Sequence, residues 1–326
     1  MIAYGSLLIM AVLPIFIAAR RSVYTQEQLK KRGLNAKKIT AKIAAATPLY
    51  GSSIVLVIYV CTNYLSKDYT NFLLSVIFFG QGVRVVNHVT STLVDMFMDS
   101  SLLNKLSYYT LLLKQHDHPD NNKEVFKWDF SFIDIGLYVV AVFTAMAYFI
   151  TKHWILNNIF AMFFSFTAIE FISLQTTQVC YIVLLGALFF DIFWMIFGVH
   201  IVIVGTVLFE APLKLVFPMD LLEGSQSNIF IMLPPKDIAF PGLFIALLYR
   251  YDVRQHPNNS RIYFIISCIS YIFGFMIAIV TMHTFRTPQS VLLFLVPACL
   301  GLPLATAAIK GELSDLWRFN EHQKLP

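Results

Sequence analysis

Long apolar runs separated by short polar stretches repeat along the whole chain. The first covers residues 2–19, and others fall at about 46–65, 70–97, 132–150, 154–174, 178–206, 228–249, 262–283 and 290–310. As helices rising about 1.5 Å per residue, each is long enough, or nearly so, to cross about 30 Å of hydrocarbon. Backbone inside lipid must satisfy its own hydrogen bonds, so the pattern predicts an all-α polytopic membrane protein with nine transmembrane helices. It divides into an N-terminal four-span bundle (1–150), a C-terminal five-span core (151–313) and a cytosolic tail (314–326). No internal repeat is visible, which weakens an inverted-repeat transporter reading.

Composition agrees with the pattern. The 326 residues are 57% hydrophobic and only 13% charged, where a soluble domain carries roughly a quarter charged residues. Placement of the charges sets orientation more than the net +5 does. The first run has no basic residue before it and ends at Arg20-Arg21, which favours a retained signal-anchor with a lumenal N-terminus over a cleaved signal peptide. From Arg20 to Lys42 there are eight basic residues against Glu27 alone. This is read as a positive-inside loop in preference to an anionic-lipid contact. Alternation then puts the 98–131 loop, the 250–261 loop with Arg250, Arg254 and Arg261, and the C-terminus in the cytosol. The sequon Asn258-Asn259-Ser260 falls on that side, closed to glycosylation. No basic patch with interleaved aromatics points to nucleic acid. Cys61, Cys180, Cys268 and Cys299 lack metal-ligand spacing and read as small core residues, and His116-Asp117-His118 reads as solvated loop rather than a metal site.

Ionisable residues within the spans narrow the search for a site. Arg84, His88 and Asp95 fall roughly on one helical face, read as a packing cluster or as residues snorkelling to the interface, and Glu170 and His200 lie in later spans. Asp191 is set in the most apolar surroundings, with Ala187, Met195 and Gly198 near its face. Asp237 lies in a run carrying Pro234, Pro235 and Pro241, where irregular backbone, water and an acid could meet at mid-membrane. Two carboxylates brought within a few ångströms cannot both ionise, and such a pair shares a proton and activates water. The spacing equally allows a proton- or cation-coupled transporter.

Around these residues the chain resembles the signal peptide peptidase family, the intramembrane aspartyl proteases related to presenilin. The resemblance is carried by Tyr4-Gly5-Ser6-Leu7-Leu8, Lys152-His153-Trp154-Ile155, Asn157-Asn158 and Phe209-Glu210-Ala211-Pro212-Leu213-Lys214-Leu215-Val216-Phe217-Pro218. It continues in Pro241-Gly242-Leu243-Phe244-Ile245-Ala246-Leu247-Leu248 and Leu295-Val296-Pro297-Ala298-Cys299. It implies a nine-span fold in the endoplasmic reticulum membrane, with no metal or organic cofactor. The implied activity is cleavage, within the bilayer, of signal-peptide remnants and of single-span proteins with cytosolic N-termini. The family's two catalytic aspartates fall on Asp191 and Asp237.

The motifs around those acids differ from the family's. Its Tyr-Asp is Phe190-Asp191, and its Gly-x-Gly-Asp is Pro234-Pro235-Lys236-Asp237. Its Pro-Ala-Leu, which helps hold substrate extended, aligns with Ser290-Val291-Leu292, with Pro288 and Gln289 just before. Phe190, Pro234, Pro235, Lys236 and residues 288–292 are therefore the expected substrate-side lining. Glycine permits close approach and unusual dihedrals, whereas proline fixes φ and donates nothing. Lys236 either opposes a shared proton on Asp237 or carries its ammonium away on its long stem. Two readings follow: a divergent working protease, or a pseudoprotease that binds membrane substrates without cutting them. Transmembrane peptides and the bilayer are the expected partners, with a second copy of the chain or a degradation complex as further ones.

Overall fold

The computed structural model describes residues 2–31, 37–64, 67–98, 108–116, 122–198, 214–218, 230–255, 261–285 and 289–321. His200, the sequon, Pro288, Asp117, His118 and residues 209–213 lie outside the described residues. The helices are α1 (Ile2–Lys31), α2 (Ala41–Tyr64), α3 (Lys67–Phe97), α4 (Phe132–Thr151) and α5 (Trp154–Phe171). They continue with α6 (Thr177–Phe197), α7 (Lys236–Gln255), α8 (Ile262–Phe285), α9 (Leu292–Lys310) and the short α10 (Leu313–Arg318). Among the described residues, eight helices are long and apolar enough to span a bilayer. The chain is a polytopic α-helical membrane protein.

The seventh of the nine expected spans, α7, is the exception, because it carries Lys236, Asp237, Arg250, Asp252 and Arg254. It tolerates them because it faces protein instead of lipid. It packs against α1, α5, α6, α8 and α9, and the whole stretch from Pro241 to Leu248 is buried. One continuous apolar core surrounds it, running from Leu7 to Phe319. Helix α2 leans on α6 and exposes Leu49, Ile54 and Val57, as a lipid-facing helix should. A second cluster of Val83, Val86, Ala141, Ala145 and Phe160 ties α3, α4 and α5 together.

Gly242 marks a close approach of helices in this core. A Cβ there would lie 2.3 Å from Ile169 Cδ1, 2.8 Å from Ile169 Cγ1 and 3.3 Å from Ile15 Cγ1. Gly242→Val is therefore expected to cost about 1–3 kcal/mol through overpacking. Thermal unfolding in detergent measures it, and an unchanged midpoint would mean that α1 and α5 yield freely at this point.

Several boundaries differ from the sequence reading. Helix α1 continues through the first basic residues to Lys31, because Arg20 and Arg21 find partners along its length. Arg20 stacks over Phe16, 4.2 Å from the ring centroid, and Arg21 over Tyr24 at 4.4 Å. The connection between α3 and α4 carries an antiparallel hairpin, β2 (Tyr108–His116) with β3 (Asn122–Ser131), introduced after the short strand β1 (Lys37–Ile39). Alternation in Phe126–Phe130 suits a strand, and Tyr108–Leu113 is a short run of aromatic, β-branched and apolar residues, signals the span count did not test.

Strand β1 pairs in parallel with β4 (Ile172–Leu174). Strand β5 (Leu215–Pro218) pairs antiparallel with β6 (Phe230–Leu233). The run read as a span at 228–249 thus begins as a strand. Residues read as a polar loop and tail are also packed: Arg250 and Arg254 lie on α7, while Leu316, Phe319 and Glu321 are buried. Arg84, His88 and Asp95 lie on one face of the continuous helix α3, but they meet different surroundings, and Arg84 is exposed. His88 Nε2 instead lies 2.7 Å from Glu170 Oε2, and Asp95 pairs with Arg21 at 3.4 Å.

Candidate active site

Asp191 sits in the C-terminal half of α6 and Asp237 in the first turn of α7, both buried. The expected irregular backbone lies just ahead of Asp237, between the end of β6 at Leu233 and the start of α7 at Lys236. Pro234 and Pro235 lie ahead of α7, where a missing N–H costs nothing. Pro234 O accepts from Asp237 N at 3.0 Å, and Pro235 O accepts from Ile238 N and Ala239 N at 3.1 and 2.8 Å. Asp237 therefore lies where a helix N-terminus favours an anionic side chain.

Pro241 is inside the helix and leaves the Asp237 carbonyl without its usual donor. The Tyr271 hydroxyl of α8 donates to that carbonyl at 3.4 Å. Sequence reasoning missed Tyr271. The signal available was a proline four residues after the aspartate, which orphans its carbonyl.

The two acids converge on one atom. Lys236 Nζ donates to Asp191 Oδ1 and Oδ2, each at 2.6 Å, and to Asp237 Oδ1 at 3.1 Å. Oxygens of the two carboxylates thus lie within two hydrogen bonds of each other. Lys236 does not carry its ammonium away from the acids. A fourth group completes the set: Ser290 Oγ donates to Asp191 Oδ2 at 2.5 Å. The side chains of Asp191 and Asp237 are 8% and 3% exposed, whereas that of Lys236 is 35% exposed. The cluster is closed around the carboxylates and open along the lysine stem.

The other expected lining residues spread around this point. Phe190 turns its ring to α2, where a Cβ on Gly51 would lie 3.0 Å from it. Pro235 O also accepts from Ser165 Oγ of α5 at 3.5 Å. Gln289 precedes Ser290, Val291 is buried at the start of α9, and Leu292 is fully buried. Among the described residues, no group of three or more His, Cys, Asp or Glu could hold a metal.

The β5–β6 hairpin leads directly into the site through Leu233 and Pro234. Asn158 fixes it by imitating a strand: its Nδ2 donates to Val216 O at 2.7 Å, and its Oδ1 accepts from Val216 N at 2.8 Å. Asn157 Nδ2 donates to Lys214 O at 2.5 Å. Both asparagines are buried on α5. Their side chains satisfy backbone groups of β5 and of the residue just before it.

The signal peptide peptidase family model matches residues 31–323. The chain belongs to the signal peptide peptidase family. Signal peptide peptidase of Homo sapiens is 38% identical over 325 residues, covering 98% of this chain and 84% of that protein. The Mus musculus protein of the same name is 38% identical over 321 residues, covering 98% of this chain and 83% of that protein. Intramembrane protease 2 of Caenorhabditis elegans is 36% identical over 210 residues, covering 60% and 45%. No solved structure matches the chain. Family membership makes proteolysis within the bilayer the activity this fold is associated with, and membrane-spanning peptides the matching class of partner.

Proposed function

We propose that the chain is an intramembrane aspartic endopeptidase of the endoplasmic reticulum, acting on signal-peptide remnants and single-span proteins through Asp191 and Asp237. The observation that carries this reading is the convergence of the two carboxylates on a single point, shown by the contacts of Lys236 Nζ with both. Family membership favours proteolysis over coupled transport as the use of such a pair.

In the working state one carboxyl holds a proton and the other is ionised, with a water between them. The ionised acid takes a proton from the water as its oxygen attacks the peptide carbonyl carbon. The protonated acid gives its proton to the carbonyl oxygen, forming a neutral gem-diol. A diol proton then returns to one carboxylate while the other acid protonates the leaving nitrogen. The C–N bond breaks, and the pair keeps one proton, as at the start. Ser290 holds Asp191 in place, and Tyr271 holds the backbone of Asp237.

The same contacts favour a second reading, binding without cutting, since Lys236 touches both acids. The purified full chain with a model single-span peptide separates the two. Under the protease reading the wild type releases two fragments, and Asp191→Ala or Asp237→Ala slows release about 10²–10⁴-fold, the worth of a general acid or base. Photo-crosslinking of intact peptide with no fragments from the wild type would establish the binding-only reading instead.

A further inference from the structure

A two-carboxylate site that cuts peptides needs one shared proton and room for a water within reach of both acids. Lys236 Nζ takes both. It stands 2.6 Å from each oxygen of Asp191 and 3.1 Å from Asp237 Oδ1, so its hydrogens occupy the directions a water would use. Its charge also replaces the shared proton: one ammonium with two carboxylates carries one net negative charge, as does a dyad holding one proton. We propose that Lys236 is an internal plug of the acid pair, keeping both carboxylates ionised and the water position filled until it is withdrawn. This rests on the reading that Asp191 and Asp237 are the working pair.

The geometry provides a route for withdrawal. Lys236 is the first residue of α7, and its side chain is a third exposed beside acids that are almost fully enclosed. Its stem has four rotatable bonds and an open side to turn towards. Once the ammonium leaves, two like charges face each other in a poorly solvated place, and taking up one proton relieves the repulsion. Removing the plug and arming the pair are then one event. Ser290 limits the movement to the lysine, because its hydroxyl bond at 2.5 Å keeps Asp191 in place after the ammonium has gone.

The test compares the full-length wild type with Lys236→Met, which keeps the stem without the charge, and Lys236→Gly, which removes both. Infrared spectra read protonation directly, with Asp237→Asn used to assign the carboxyl band. The expected result is no protonated-carboxyl band from this pair in the wild type and such a band in both variants. A photoreactive hydroxyl-containing analogue of the peptide-hydrolysis transition state is the second probe. It should label Lys236→Gly at a concentration about tenfold or more below that needed for the wild type, equivalent to about 1.4 kcal/mol. A protonated-carboxyl band in the wild type, or equal labelling of the two proteins, overturns the plug. Should Lys236→Gly fail to fold, the band in Lys236→Met decides the question, its presence supporting the plug and its absence overturning it. Labelling of Lys236→Gly that survives Asp237→Asn would instead overturn the assignment of the pair, a separate failure.

Discussion

Glu321→Ala is expected to destabilise the protein by about 3–5 kcal/mol, the cost of stranding a buried charge. Arg250 Nε lies 2.9 Å from Glu321 Oε1, with the two side chains 3% and 0% exposed. The N–H is not aligned with that oxygen, so the contact is an ion pair more than a hydrogen bond. Around it, Ser173 Oγ donates to Glu321 Oε2 at 2.6 Å, Arg250 Nη1 donates to Ser22 Oγ at 2.9 Å, and Arg254 Nη1 donates to the Glu321 carbonyl. Glu321 N donates to Gln175 O at 3.0 Å, fastening the same segment to the chain just before α6. These contacts join α1, β4 and the last turns of α7 to the C-terminal segment. Removing the carboxylate leaves Arg250 without its counter-ion inside the protein. Thermal unfolding in detergent measures the loss, and Arg250→Met with Glu321→Leu together should recover most of it. A midpoint unchanged in Glu321→Ala would show that water or another group reaches Arg250. Truncation after Arg318 should act like Glu321→Ala or more strongly, because Phe319 is lost as well.

Glu170→Ala carries the second large stability effect, about 2–4 kcal/mol. Glu170 is 1% exposed and accepts from Thr25 Oγ1 at 2.5 Å. His88 Nε2 lies 2.7 Å from its other oxygen, and Arg21 Nε lies 3.8 Å away. One carboxylate thus holds α1, α3 and α5 together. The loss should exceed that of a surface pair, because the carboxylate is fully enclosed, yet stay below that of Glu321, because Arg21 and His88 keep some contact with solvent. Glu170→Gln keeps acceptor capacity and should lose distinctly less. A double-mutant cycle with His88→Ala isolates the pair, and a coupling near zero would assign the stabilisation to Thr25 and Arg21.

Much of this protein could be read from its order of residues. Apolar run length fixed the class, because lipid admits no other arrangement of an unpaired backbone at those lengths. The two aspartates stood out for the same reason, since an acid in hydrocarbon is too costly to be incidental. The hairpin after α3 was missed because strands need only a few patterned residues, which are hidden in a stretch read as a polar loop. The buried state of Arg250, Glu321 and Asp252 was missed because a charged residue in a polar stretch looks solvated unless its partner is known, and the partner of Arg250 is 71 positions away in sequence. Arg84, His88 and Asp95 were grouped by helical spacing alone, but spacing does not say which neighbours lie opposite each residue.

The sequence by itself determined a polytopic helical membrane protein, its family, and the pair Asp191 and Asp237 as the place to look. It could not place Lys236. A lysine next to an aspartate in sequence has a stem long enough to reach several positions, and its direction depends on how α6 and α7 cross. Only the tertiary structure decided that the ammonium lies between the two acids, with Ser290 brought from the start of α9 to the same carboxylate. Local pattern sets which segments form helices and which face of each is apolar. The meeting of charges from α6, α7 and the approach to α9 is set by packing around the buried central helix, which no local pattern encodes.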